Sequence, residues 1–176
     1  NIIEKPKFEV REGLNEIAIL ITDKVKAAAQ AKMKTARQIF MKTSPKQSTE
    51  VVLPKNTGKR KTTDQEPLIA IGASTGGTEV LREILSSLPP TLPGIVIVQH
   101  MPKAFTGSFA NSLDRVSELE IKEAEDGDMV ESGKALLAPG DAHMILKTNG
   151  SSYQAQLDTG ELVNRQRPAV DVLFRS

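Results

Sequence analysis

A chain of 176 residues with 39% hydrophobic content is long enough for one domain with a buried core, or for one domain and part of another. The absence of cysteine excludes disulfides, thiolate nucleophiles and cysteine-based zinc sites. Lys and Arg total 23 against 22 Asp and Glu, and aromatic residues make up 3%, so neither the overall charge nor a base-stacking platform points to nucleic acid.

Asn1 enters at once on Ile2-Ile3, a short strand end, and Lys5-Pro6 makes a turn. A long amphipathic helix follows, its apolar stripe formed by Leu14, Ile17, Ile21, Val25 and Ala28 at helical spacing. The run Ile17-Ala18-Ile19-Leu20-Ile21 is far shorter than a membrane span, and no leader pattern precedes it, so neither membrane insertion nor export is expected. From Lys34 to Glu66 the composition turns to Lys, Thr, Ser, Gln and Pro, which reads as a solvated tether. Its Lys59-Arg60-Lys61 run has no aromatic or helical framework around it and is read as scattered linker charge.

The pattern changes at Leu68. Leu68-Ile69-Ala70-Ile71 predicts a buried parallel strand, Val80, Leu81, Ile84, Leu85 and Leu88 predict one helical face, and Pro89-Pro90 stop that helix. Ile95-Val96-Ile97-Val98 predicts a second strand, so residues 68–98 form a βαβ unit with His100 just beyond it. Phe105, Phe109, Leu113 and Val116 recur at helical spacing and are expected in the core. Glu125 to Asp128 and Glu131 to Gly133 read as turns around short strands, and Asn149-Gly150 as the turn of a hairpin. Ser176 falls inside a helical pattern begun after Pro168, so the sequence reads as an internal piece of a longer one.

Gly72-Ala73-Ser74-Thr75-Gly76 fits the Gly-x-Ser-x-Gly turn between a strand and a helix. Such a turn exposes the serine hydroxyl at the carboxyl edge of the sheet, with glycines expected to relieve a strained backbone. The amide of Thr75, near the helix start, is positioned to stabilise an oxyanion. A serine hydroxyl needs a base, and His100 leaves the next strand on the same edge. Taken alone, the glycine motif equally describes an anion-binding or close-packing turn, and a strand-end histidine is commonplace; the pairing of Ser74 with His100 in one unit is what favours catalysis. His143 reads as a turn or supporting residue. An ordinary α/β-hydrolase arrangement would instead recruit His143 with Asp126 or Asp141, but the polar tether leaves no room upstream for the strands which that fold places before its serine.

The run from Ile69 to Glu79, followed by Gln99-His100-Met101-Pro102, Ala138-Pro139-Gly140-Asp141 and Asn164 to Phe174, closely resembles the chemotaxis protein-glutamate methylesterase family, CheB. The resemblance covers about residues 67–176 in order. It implies an α/β fold on a doubly wound, mostly parallel sheet, with residues 67–176 as the N-terminal part of a methylesterase catalytic domain. Residues 1–33 resemble the last strand and helix of a response-regulator receiver domain, and residues 34–66 the interdomain linker. The implied activity is hydrolysis of glutamate γ-methyl esters, and deamidation of specific glutamines, on methyl-accepting chemotaxis receptors in the cytoplasm. Ser74 matches the nucleophile and His100 the general base; Lys5 matches the receiver lysine that contacts the phosphorylated carboxylate. No cofactor or metal is implied for catalysis; Mg2+ and the chemotaxis histidine kinase belong to phosphorylation of a complete receiver. Arg165 and Arg167 fit either reception of an acidic receptor helix or plain solvation. The family's third catalytic residue is an aspartate in a Gly-Met-Gly-x-Asp-Gly stretch that does not occur here, and Asp171 does not match it. Hence the chain by itself is expected to be inactive, and the alternative reading is a non-catalytic receptor-docking or linker fragment.

Overall fold

The computed structural model describes residues 46–54 and 65–176, together with Thr22. The chain divides into two compact units, Asn1–Ser44 and Pro45–Ser176. Thr22 is the only described residue of the first, so the expected receiver remnant, with Lys5, lies outside the described residues.

The second unit is built on β1 (Ile69–Ala73), α1 (Gly77–Ser87), β2 (Ile95–Gln99), α2 (Lys103–Asp114), β3 (Glu120–Glu123), β4 (Met129–Val130), β5 (Lys134–Leu137), β6 (His143–Asn149), β7 (Ser152–Asp158) and α3 (Val170–Arg175). Four strands form a sheet in the order β1-β2-β5-β3, every pair parallel; β4, β7 and β6 form a three-stranded antiparallel sheet. This is the expected α/β fold on a mostly parallel sheet.

The uninterrupted apolar run of β2 is explained by layers on both of its faces. Ile95 and Ile97 point to one side, where Leu81 and Leu85 of α1 and Ala110 and Leu113 of α2 cover them. Val96 and Val98 point to the other, against Met144, Ala155 and Leu173 from the antiparallel sheet and α3. All four strand residues are fully buried. At roughly 1.5–3 kcal/mol for each large aliphatic side chain, this double burial holds β2 firmly in place, and the strand leads directly into His100.

Three expectations are corrected. Val80 and Ile84 were expected to share the buried face of α1, and Phe105 and Val116 that of α2; all four are exposed. Arg82 donates to Ser112 of α2 at 2.6 Å, which turns Val80 and Ile84 to the opposite flank, and β1 has no neighbour on that side among the described residues. The hairpin turn is centred on Gly150-Ser151 rather than on Asn149-Gly150, because Asn149 pairs with Ser152 and only Gly150 of the two central residues has positive φ. Residues 46–54, inside the stretch read as a solvated tether, pack on the domain instead. The Asn164 N–H donates to the Gln47 carbonyl at 3.0 Å, and Arg175 donates to Thr49 and to the Pro54 carbonyl. Leu53 is buried against Ile145, Val163, Ala169 and Val172. Average composition over a long polar stretch conceals one short apolar run, Val51-Val52-Leu53, that finds a surface to cover.

Candidate active site

Register alone brings Ser74 and His100 together. Ala73 is the partner of Gln99 in the parallel β1–β2 pair, so the next residues of each strand, Ser74 and His100, leave the same sheet edge side by side. The His100 N–H extends the ladder by donating to the Ala73 carbonyl at 3.2 Å. The side chains then meet: Ser74 Oγ lies 3.1 Å from His100 Nδ1. With Nδ1 accepting the hydroxyl proton, the ring carries its own proton on Nε2, which is buried and without a partner among the described residues.

The turn differs from the expected strained elbow. Among the described residues, the non-glycine positions with positive φ are Asn164 and Arg165, so Ser74 is not one of them. The left-handed position is Gly76, at φ 79°, which caps α1 and lets the chain reverse within two residues of the serine. Gly72 serves packing: a Cβ there would collide with Val170 at the start of α3, its Cγ2 only 2.9 Å away. Both glycines of the motif are thus accounted for, one by conformation and one by close approach.

Thr75 is exposed, and its amide has no hydrogen-bond partner among the described residues, while the following Gly77 N–H is taken by the Ser74 carbonyl at 2.8 Å. An unpaired amide next to the serine, just ahead of a helix start, has the chemistry of an oxyanion donor.

Two supports were missed in the sequence. Gln99, 3% exposed, donates through Nε2 to the carbonyls of Ser74 at 3.0 Å and His100 at 3.3 Å. Its signal was the one polar residue closing an otherwise apolar strand. The loop after His100 is held from outside by Gly140, whose N–H donates to Thr106 Oγ1 at 3.3 Å and whose Cα lies against the Met101-Pro102-Lys103 backbone. Lys103 and Asp141 close this contact with an ion pair at 2.7 Å, in which the carboxylate raises the lysine pKa.

His143 stands apart from the pair. It is fully buried; Nε2 lies 2.9 Å from the Glu161 carbonyl and Nδ1 accepts the Ala169 N–H at 3.2 Å, while burial lowers its pKa. Asp126 accepts from Leu157 N–H and Asp141 pairs with Lys103, so neither carboxylate serves His143. That removes the α/β-hydrolase arrangement. Asp171 accepts from Asn164 Nδ2 at 2.5 Å, and no hydrogen bond joins it to His100 among the described residues. Arg167 donates to the carbonyls of Thr159 and Gly160, which ties its guanidinium to its own loop. Among the described residues no group of His, Asp and Glu side chains is arranged to hold a metal ion, and no helix is long and apolar enough to cross a membrane.

Residues 69–176 match the model of the CheB methylesterase family. The chain belongs to the CheB methylesterase family. It is similar to a protein-glutamate methylesterase/protein-glutamine glutaminase of Oleidesulfovibrio alaskensis, 46% identical over 99% of this chain and 49% of that protein. A relative of the same name from Geobacter metallireducens is 47% identical over 99% of this chain and 50% of its own length. The chain thus spans about half the length of the curated CheB relatives it matches. Among solved structures, the CheB methylesterase catalytic domain of Thermotoga maritima is similar at a TM-score of 0.58 and 47% identity, covering 60% of this chain and 57% of that one.

Proposed function

We propose that the polypeptide containing this chain hydrolyses glutamate γ-methyl esters, and deamidates specific glutamines, on chemotaxis receptors in the cytoplasm. The observation that carries the proposal is the 3.1 Å contact between Ser74 Oγ and His100 Nδ1 at the carboxyl edge of a parallel sheet, within a chain of the CheB family. Ser74 attacks the γ-carbonyl carbon as His100 takes the hydroxyl proton, and the Thr75 amide stabilises the negative oxygen of the tetrahedral adduct. Collapse of the adduct breaks the bond to the methoxy oxygen, or to the amide nitrogen, and His100 returns the proton so that methanol or ammonia departs. Water then loses a proton to His100, attacks the γ-glutamyl ester of Ser74, and frees glutamate and the serine hydroxyl.

Nε2 of His100, buried and unpartnered among the described residues, is where a carboxylate would steady the ring. The family's aspartate motif is absent from the sequence, and loss of the corresponding acid costs on the order of 10⁴ in turnover in the serine-protease template. The test therefore uses the complete encoded polypeptide and methyl-labelled receptor in membranes. Labelled methanol should be released by the wild type and fall to background with Ser74→Ala and with His100→Ala. Release undiminished in Ser74→Ala would sink the proposal.

A further inference from the structure

Gln99 is a buried polar side chain that forms no part of the reacting pair, yet it touches the backbone of both its members. Both groups facing its terminal nitrogen, the carbonyls of Ser74 and His100, are acceptors, which assigns the NH2 to that side and leaves Oε1 on the other. Oε1 is buried without a partner among the described residues. It is pressed against Gly77: a Cβ at that position would strike Oε1 and come within 3.3 Å of Gln99 Cδ and 2.8 Å of Ala73 Cβ. A methionine would fill the same space with no orphaned acceptor, so what the amide contributes is its two donors.

Those donors act on one peptide plane in particular. The Ser74 carbonyl receives the Gln99 amide at 3.0 Å and the Gly77 N–H at 2.8 Å, which holds it toward the interior by both lone pairs. In a trans peptide the C=O and the following N–H point in opposite directions. The Thr75 N–H is accordingly turned away from Gln99, to the exposed side of the turn where no group among the described residues receives it. The second donor holds the His100 carbonyl at 3.3 Å and so ties the base to the same clasp.

We infer that Gln99 is a positioning residue that locks the Ser74–Thr75 peptide with its amide facing outward and holds His100 in register with it. The inference rests on the reading of Ser74 as nucleophile and Thr75 as oxyanion donor, and the test separates the two. It uses the complete encoded polypeptide, methylated receptor, and the variants Ser74→Ala, Gln99→Met and Gln99→Glu. Gln99→Met should lower kcat by up to about 10²- to 10³-fold, the range for loss of an oxyanion donor, with KM changed by less than about threefold. Gln99→Glu presents a carboxylate to two carbonyls when ionised and one O–H donor when protonated. Its rate relative to wild type should therefore rise as pH falls, which a merely space-filling role would not produce.

A folded Gln99→Met with wild-type kcat, or a defect carried by KM alone, overturns the inference, as does a flat pH ratio for Gln99→Glu. Should neither variant fold, the Gln99 side-chain amide protons of the wild type decide by NMR: slow exchange with solvent supports the clasp, and exchange as fast as that of exposed glutamines refutes it. Activity surviving in Ser74→Ala would overturn the nucleophile reading instead, whereas an inactive Ser74→Ala beside a fully active Gln99→Met would overturn the clasp alone.

Discussion

Replacing His143 by leucine removes a ring engaged at both nitrogens inside the domain. Nδ1 accepts the Ala169 N–H and Nε2–H donates to the Glu161 carbonyl, so the fold holds the neutral imidazole. Leucine fills much of the volume but pairs neither backbone group, at about 1–3 kcal/mol for each one left unsatisfied. Glu161 is exposed, so its carbonyl can regain water; Ala169 is buried, so its amide cannot. The expected loss is therefore about 1–3 kcal/mol, a sizeable share of the roughly 5–15 kcal/mol typical of a domain.

Acid gives an independent reading of the same contacts. Burial lowers the folded-state pKa of His143 below the ordinary 6.5, against weaker opposing effects of the Glu161 carbonyl and the Asp158 carboxylate, and Arg167 lowers it further. The folded state binds the proton less readily than the unfolded chain. This stability contribution is complete above 6.5 and is lost as pH falls from 6.5 toward the lowered folded value. Urea denaturation at about pH 7.5 and about pH 5.5 should show wild type losing more stability than His143→Leu between the two. A His143→Leu protein within about 0.5 kcal/mol of wild type near neutrality, or one with the same acid loss, would refute the reasoning.

Two further outcomes follow from close contacts. A methyl group at position 140 would meet the Met101 carbonyl and Lys103 nitrogen and lie 2.6 Å from the Pro102 carbonyl carbon, all backbone that cannot rotate aside. Gly140→Ala should displace the loop after His100 and lower kcat by about 10- to 100-fold in a folded protein, since a 1 Å misplacement can cost that much; unchanged single-turnover rates would count against it. Leu53→Ala should release residues 46–54 from the domain, at about 2 kcal/mol or roughly 30-fold in local opening. Limited proteolysis read by mass spectrometry should show faster cleavage in that segment, and equal rates in both proteins would contradict the packing.

The pair at the heart of the site was legible because local rules suffice for it. Two apolar runs of strand length, a helix between them and the right-handed crossover preference make β1 and β2 parallel neighbours, and residues that follow parallel strands share an edge. Ser74 and His100 could therefore be brought together before any distance was known. The glycines were legible as necessary but not as to why. Gly72 answers to Val170, nearly a hundred positions on, and only Gly76 answers to its own dihedral angle.

What the amino-acid pattern determined by itself was the order of elements and the juxtaposition of serine and histidine, because these depend on periodicity and on short connections. Tertiary structure alone decided the exposed flanks of α1 and α2, the docking of residues 46–54, the engagement of His143 with backbone, and the Gln99 clasp. Each of these is a contact between residues far apart in the chain, or a choice of which side of a helix meets a neighbour. Helical spacing names a stripe, but only the position of the next element says which part of that stripe is covered.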